Sequence, residues 1–296
     1  LTRRFQEAND AMGAFLMMKP DRKTTLRSLL LSAVTASACG PDAAQTDAGT
    51  GTSTGTDASS TDSPTGAPEP CSRIHEGDLR VLVGTDLASL ADLGRVTEDL
   101  TISMGELDQR DLSFLSCLHT VDGGLDISRN VLLESTAGLE NLKSVDSISF
   151  FDNDSLRTVT GFNQIQELTV LNLRNNPALE SLQFDSLATV KYLSIGGCQQ
   201  MKPDARHFAL TELSGFSSLT TVQFLTLAGN EALMSAGLLE ALEANGATPL
   251  LSATIRFNPL LPEATVNARL DVLGVIEREV CGNAEGDAEC YCQVGE

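Results

Sequence analysis

Seven cysteines and three histidines carry most of the reactive chemistry in this 296-residue chain. The histidines, His75, His119 and His207, are scattered, and no two have the spacing that places both imidazoles on one helix face for a metal. Cys281, Cys290 and Cys292 read C-x8-C-x-C, which lacks the paired C-x2-C of zinc sites and has no nearby His. Asp152-Asn153-Asp154 offers oxygen ligands, but without the D-x-D-x-D-G…E spacing of a calcium loop. A nucleophile elbow G-x-S-x-G, a phosphate-cradling glycine loop and H-E-x-x-H are all absent from the sequence. The expectation is a non-catalytic protein without metal or cofactor, with an exported enzyme as an alternative.

Cys39 stands apart because of what precedes it. Lys19, Arg22, Lys23 and Arg27 lead into an apolar run from Ser28 to Ala38. A positive segment, a short apolar segment and small residues before a cut describe a secretory signal peptide over residues 1–38. The run is about half of the ~20 residues that span a bilayer, so it does not read as a permanent transmembrane helix. Residues 1–16 sit awkwardly upstream, and the expected translation start is Met17 or Met18. Ala36-Ser37-Ala38-Cys39 resembles the lipobox of bacterial lipoproteins, which implies lipidation of the Cys39 thiol and a membrane anchor there. Ala36 stands where that motif usually has a larger aliphatic residue. Ala-Ser-Ala is also an A-x-A site whose cleavage would leave Cys39 unmodified, and both outcomes stay open. Gly40, rather than Asp, follows Cys39; by the same resemblance this implies the outer membrane or cell surface.

Residues 40–70, GPDAAQTDAGTGTSTGTDASSTDSPTGAPEP, hold no aliphatic side chain larger than Ala and no Lys or Arg. Such a stretch cannot bury enough apolar surface to offset its ordering entropy. With Cys39, residues 39–70 therefore read as an anchor site and a disordered linker. Its end-to-end distance would be roughly 30 Å, or about 100 Å pulled straight. The whole chain carries a formal charge of −20, and the part from Cys39 onward has 14 Lys/Arg against 37 Asp/Glu, or −23. A surface this acidic repels phosphate backbones, so nucleic acid is excluded as a partner.

The elements that must position any functional residue come from a repeat. LTISMG (100–105), LDISRN (125–130), ISFFDN (148–153), LNLRNN (171–176), LSIGGC (193–198), LTLAGN (225–230) and ATIRFN (253–258) share the form apolar-x-apolar-x-x-Asn. Gly105 and Cys198 replace the Asn in two of them. The anchors are 25, 23, 23, 22, 32 and 28 residues apart, and residues 202–210 read as a loop insertion in the longest interval. A second signature recurs at Gly138-Leu139…Leu142…Val145, Gly161-Phe162…Ile165…Leu168 and Gly215-Phe216…Leu219…Val222. Short apolar alternation is a strand with one face inward. One such strand cannot close a core alone, but stacking successive repeats buries a continuous aliphatic column. The predicted fold is a right-handed parallel β-solenoid, mostly β with short helical or irregular convex segments.

This pattern is similar to leucine-rich repeats, and its short turns and L-x-I-x-x-N resemble the receptor L-domain, a ligand-binding module of receptor ectodomains. The likeness covers residues 71–280, including Glu76-Gly77-Asp78-Leu79-Arg80-Val81 as a first strand, and leaves 281–296 as a Cys-rich C-terminal cap. It implies a fold and a binding role, with no catalytic motif. Cys71 and Cys117 lie before successive repeats and are expected to pair. Cys281 is expected to join Cys290 or Cys292, and Cys198 to be a buried thiol in the Asn column.

If the apolar positions point inward, their neighbours point out. The middle outward column, Thr101, Asp126, Ser149, Asn172, Ser194, Thr226 and Thr254, is small and polar. The column before it holds Val170, Tyr192 and Phe224 on adjacent repeats, and the one after it holds Phe151, Arg174 and Arg256. These six residues are the candidate ligand-binding surface in a chain only 4% aromatic. The expected function is a membrane-tethered cell-envelope lipoprotein that binds a protein or glycan; the alternative is a structural or adhesion component without a specific ligand. Metabolic labelling with a fatty-acid analogue should mark the wild type and leave Cys39→Ser unmarked. An unlabelled wild type would leave the ordinary A-x-A cut as the answer.

Overall fold

The computed structural model describes residues 71–197 and 209–286, all within one compact unit, Gly66–Val294. Cys39, Cys198, His207, Cys290 and Cys292 lie outside the described residues, as do the linker and nearly all of the 202–210 insertion.

Each apolar-x-apolar segment is a strand, because alternate side chains can be buried only on an extended backbone with a period of two. The strands in chain order are β1 (Arg73–His75), β2 (Leu79–Leu82), β3 (Leu93–Val96), β4 (Leu100–Ser103), β5 (Thr120–Val121), β6 (Gly124–Ser128) and β7 (Ser147–Phe151). They continue as β8 (Thr158–Val159), β9 (Glu167–Arg174), β10 (Ser181–Leu182), β11 (Thr189–Gly196), β12 (Thr221–Ala228), β13 (Ser252–Arg256) and β14 (Glu277–Cys281). Nine of them form one sheet in the order β14-β13-β12-β11-β9-β7-β6-β4-β2. Every pairing in it is parallel. The protein is thus built on a nine-stranded parallel sheet with few helices. Pieces of the connections form two smaller parallel sheets, β1-β3-β5 and β8-β10. Two helices, α1 (Gly237–Ala244) and α2 (Glu263–Val272), occupy the connections on either side of β13 and lengthen the repeats there. Among the described residues no helix is long and apolar enough to cross a membrane.

Register places Leu100, Leu125, Ile148, Leu171, Leu193 and Leu225 side by side, and likewise Ile102, Ile127, Phe150, Leu173, Ile195 and Leu227. All are buried in a single hydrophobic cluster. Burying one such side chain is worth roughly 1.5–3 kcal/mol. Behind them the second signature supplies a row of aromatic rings. Phe162 stacks on Phe184 at 5.1 Å and Phe184 on Phe216 at 5.8 Å, while Phe150 meets Phe162 edge-on at 6.0 Å. Phe184 belongs to a copy in which Gln183 replaces the signature glycine. That glycine matters where it does occur: at Gly138, with φ of +112°, an added Cβ would lie 2.2 Å from the Leu112 carbonyl oxygen.

The anchor asparagines form a buried ladder beyond the strand ends. The backbone N–H and Nδ2 of Asn130 both donate to Asn153 Oδ1, at 3.1 and 3.0 Å, and Asn153 repeats this on Asn176. Each Nδ2 also donates to a carbonyl of the preceding repeat: Ile102 for Asn130, Ile127 for Asn153 and Phe150 for Asn176. Asn230, Asn258 and Asn283 make a second run of the same bonds. Thus Asn153 acts as a repeat anchor. At the first repeat the Met104 N–H donates to Asn130 Oδ1, while Gly105 bridges Asn130 through the main chain. The residue before each ladder Asn is left-handed: Arg129, Asp152, Asn175 and Phe257 have φ of +55° to +57°, and Gly229 and Gly282 fill the same place.

Cys71 and Cys117 form a disulfide, as expected. By the chain-entropy account, closing a loop of 46 residues contributes about 4 kcal/mol. Cys281 is also disulfide-bonded, and its partner lies outside the described residues. β14 pairs with β13 through Cys281, and the ladder runs on to Asn283, so the repeat continues past residue 280.

Replacing Asn153 by Leu would orphan the Asn130 N–H and the Ile127 carbonyl in a buried position. Each orphaned group costs about 1–3 kcal/mol. Chemical denaturation of Asn153→Leu should therefore show a loss of at least about 2 kcal/mol, well beyond a surface control such as Asn163→Leu.

Candidate functional site: the outward face of the large sheet

The core lies on one face of the large sheet, so the alternate residues of each strand form the other face. Register brings Val170, Tyr192 and Phe224 onto one level of β9, β11 and β12, flanked by Ser147 and Ser252. The Tyr192 and Phe224 rings stack at 4.9 Å with planes 11° apart, and both residues are half-buried. Lys191 Nζ lies 5.1 Å from the Tyr192 ring centroid, a cation–π contact. Val170 is outward by register but only 5% exposed, and it stands apart from the core cluster.

Phe151 and Arg174 are register partners. Arg174 is exposed and has no ion pair among the described residues. Arg256 is on the same level but three strands away, with Gly196 and Ala228 on the two strands between. Its Nη1 bonds Glu279 Oε1 at 3.0 Å, while its Nε is buried without a hydrogen-bond partner. Gly196, with φ of +91°, comes so near β12 that an added Cβ would lie 2.0 Å from the Ala228 carbonyl oxygen. The structure thus joins Val170, Tyr192 and Phe224, joins Phe151 to Arg174, and leaves Arg256 tied to the C-terminal strand.

Two middle-column residues stand out only in the structure. Asn172 lies in register between Ser149 and Ser194, is 9% exposed, and its side chain makes no hydrogen bond among the described residues. Its signal in the sequence is a single amide within a column of hydroxyls around it. Asp126 accepts a short hydrogen bond from Ser128 Oγ, and burial pushes its carboxyl above the usual range against the opposing pull of that bond and of Arg129. Among the described residues no three His, Cys, Asp or Glu side chains gather as a metal site.

No protein-family model, curated protein or solved structure matches the chain.

Because the folded pKa of Asp126 is raised, its contribution to stability is present below the unfolded value and lost as pH rises through the folded value. Asp126→Asn cannot ionise and keeps the uncharged form at every pH. It should melt above the wild type at neutral pH and level with it in acid below the ordinary carboxylate range. An equal offset at both pH values would show that the effect is not titration.

Proposed function

We propose that this chain is a membrane-tethered cell-envelope lipoprotein whose repeats form a right-handed, receptor-L-like β-solenoid that binds a protein or glycan without catalysis. Lipidation at Cys39, export and the outer-membrane or cell-surface location rest on the signal-like N-terminal sequence and the lipobox resemblance. The observation that carries the binding role is the outward group of Val170, Tyr192 and Phe224 in one register, beside Arg174 and Lys191, two cations without ion pairs among the described residues. The chain has twice as many acids as bases, yet among the described residues these two cations have no ion pair, and they stand on the face that carries the stacked Tyr192–Phe224 pair. Tyr and Arg are the usual anchors of interfaces.

A second reading, a structural envelope component without a specific ligand, is favoured by the position of the stack. Tyr192 and Phe224 join β11 to β12, where the asparagine ladder is interrupted and Asn230 Oδ1 has no hydrogen-bond partner. On that reading the rings are a cross-strand fastening.

Replacing both Tyr192 and Phe224 by Ala separates the two. For a binding surface, the affinity for envelope or host ligands should fall by at least roughly 2 kcal/mol, with the melting temperature nearly unchanged. If the double variant melts several degrees lower and retains full affinity, the rings are packing residues.

A further inference from the structure

Asn172 is the centre of the outward face that the described contacts leave unexplained. Asn172 as a residue is only 9% exposed, and its side-chain donors and acceptor are engaged by nothing among the described residues. Its amide atoms are not among the fully buried orphans, so they reach solvent from a recess in the face. A recessed amide that only water can reach is a place where a ligand hydroxyl can take over the bonding. Around it stand Ser149 and Ser194 on the neighbouring strands, and Arg174 two residues along its own strand. An added Cβ at Gly197 would come within 3.1 Å of Arg174 Nε, so the missing side chain there leaves room for the guanidinium stem.

The chemistry of this group is specific. A carboxamide offers donors and an acceptor side by side, which suits adjacent hydroxyls, and the two serines extend that row. A guanidinium without a carboxylate partner suits a planar carboxylate in a two-pronged bond. Residues two apart on a strand are about 6.6 Å apart, a span that one sugar ring and its acid substituent can bridge. A peptide strand has little to pair with here, because the main chain of a mid-sheet strand is already bonded on both sides. A polyanion is opposed by the net charge of −20, whereas a single carboxylate on a neutral sugar framework is not.

We propose that this patch binds an acidic saccharide, with ring hydroxyls on Asn172, Ser149 and Ser194 and the carboxylate on Arg174. This rests on the binding-module reading and names the ligand class for the same face.

The test is titration calorimetry on the full chain in detergent, with two charged and uncharged pairs: sialyllactose against lactose, and a hyaluronan tetrasaccharide against its methyl ester. At least one acidic member should bind saturably and about tenfold or more tighter than its neutral counterpart, with the preference shrinking as salt rises. Arg174→Gln should erase that preference, and Asn172→Ala should weaken both members of the pair, with melting temperatures unchanged. Acidic binding that ignores both substitutions overturns the proposal, as does failure of both acidic sugars to bind. If both acidic sugars fail while a neutral glycan or an envelope protein binds in a Tyr192- and Phe224-dependent way, the ligand class is wrong and the binding-module reading stands. If none of these ligands binds saturably, both are overturned.

Discussion

An amide buried past the end of a strand has two N–H donors and an acceptor to satisfy, and in this chain the next repeat satisfies most of them. The Oδ1 of one Asn takes both the main-chain N–H and the Nδ2 of the Asn before it, and its own Nδ2 reaches back to a carbonyl of the preceding repeat. Leaving such a group unpaired costs more than pairing it gains, so the arrangement tolerates little slippage. A one-residue shift in any strand would move its aliphatic residues outward and its Asn out of reach. The left-handed residue before each Asn follows from the same demand, even where Arg129 or Phe257 must adopt it.

The parts of the fold that were legible in the sequence are those the ladder and the core impose together. The Asn spacing and the apolar alternation locate the large sheet's strands from β4 to β13, and cysteine position alone anticipates the Cys71–Cys117 bridge. β14 was hidden because EREVCGN places Arg278 opposite the buried Ala253, so the alternation fails although Asn283 keeps the ladder. Phe184 was hidden because its repeat has Gln183 where the others have glycine, although its ring stacks with theirs. The first repeat keeps the expected register, with Gly105 opposite Asn130, but its bond to the ladder comes from the main chain of Met104, which has no side-chain signature.

The outward face was legible in register but not in environment. Strand parity alone places Val170, Tyr192 and Phe224 on one level, and the pairing has them there. Parity does not tell how deeply a residue sits, and so the burial of Val170 and Asn172 and the shifted carboxyl of Asp126 came only with neighbours in place. Nor does it give the direction of a long side chain: Arg256 spends its charge on Glu279, while Arg174, on the same level, does not.

The chain holds its repeats together with two fasteners that take turns. Buried amides link the repeats up to Asn176 and again from Asn230, and the position between them is Cys198 in sequence. Across that gap the three longest strands, β9, β11 and β12, lie side by side, and the Phe162–Phe184–Phe216 stack runs beneath them. Carboxamides satisfy directional bonds and fix distances within tenths of an ångström; stacked rings hold area and tolerate sliding. Where the amides stop, main-chain pairing lengthens to take their place: β11 pairs over more residues with β9 and β12 than any other two neighbours in the sheet do.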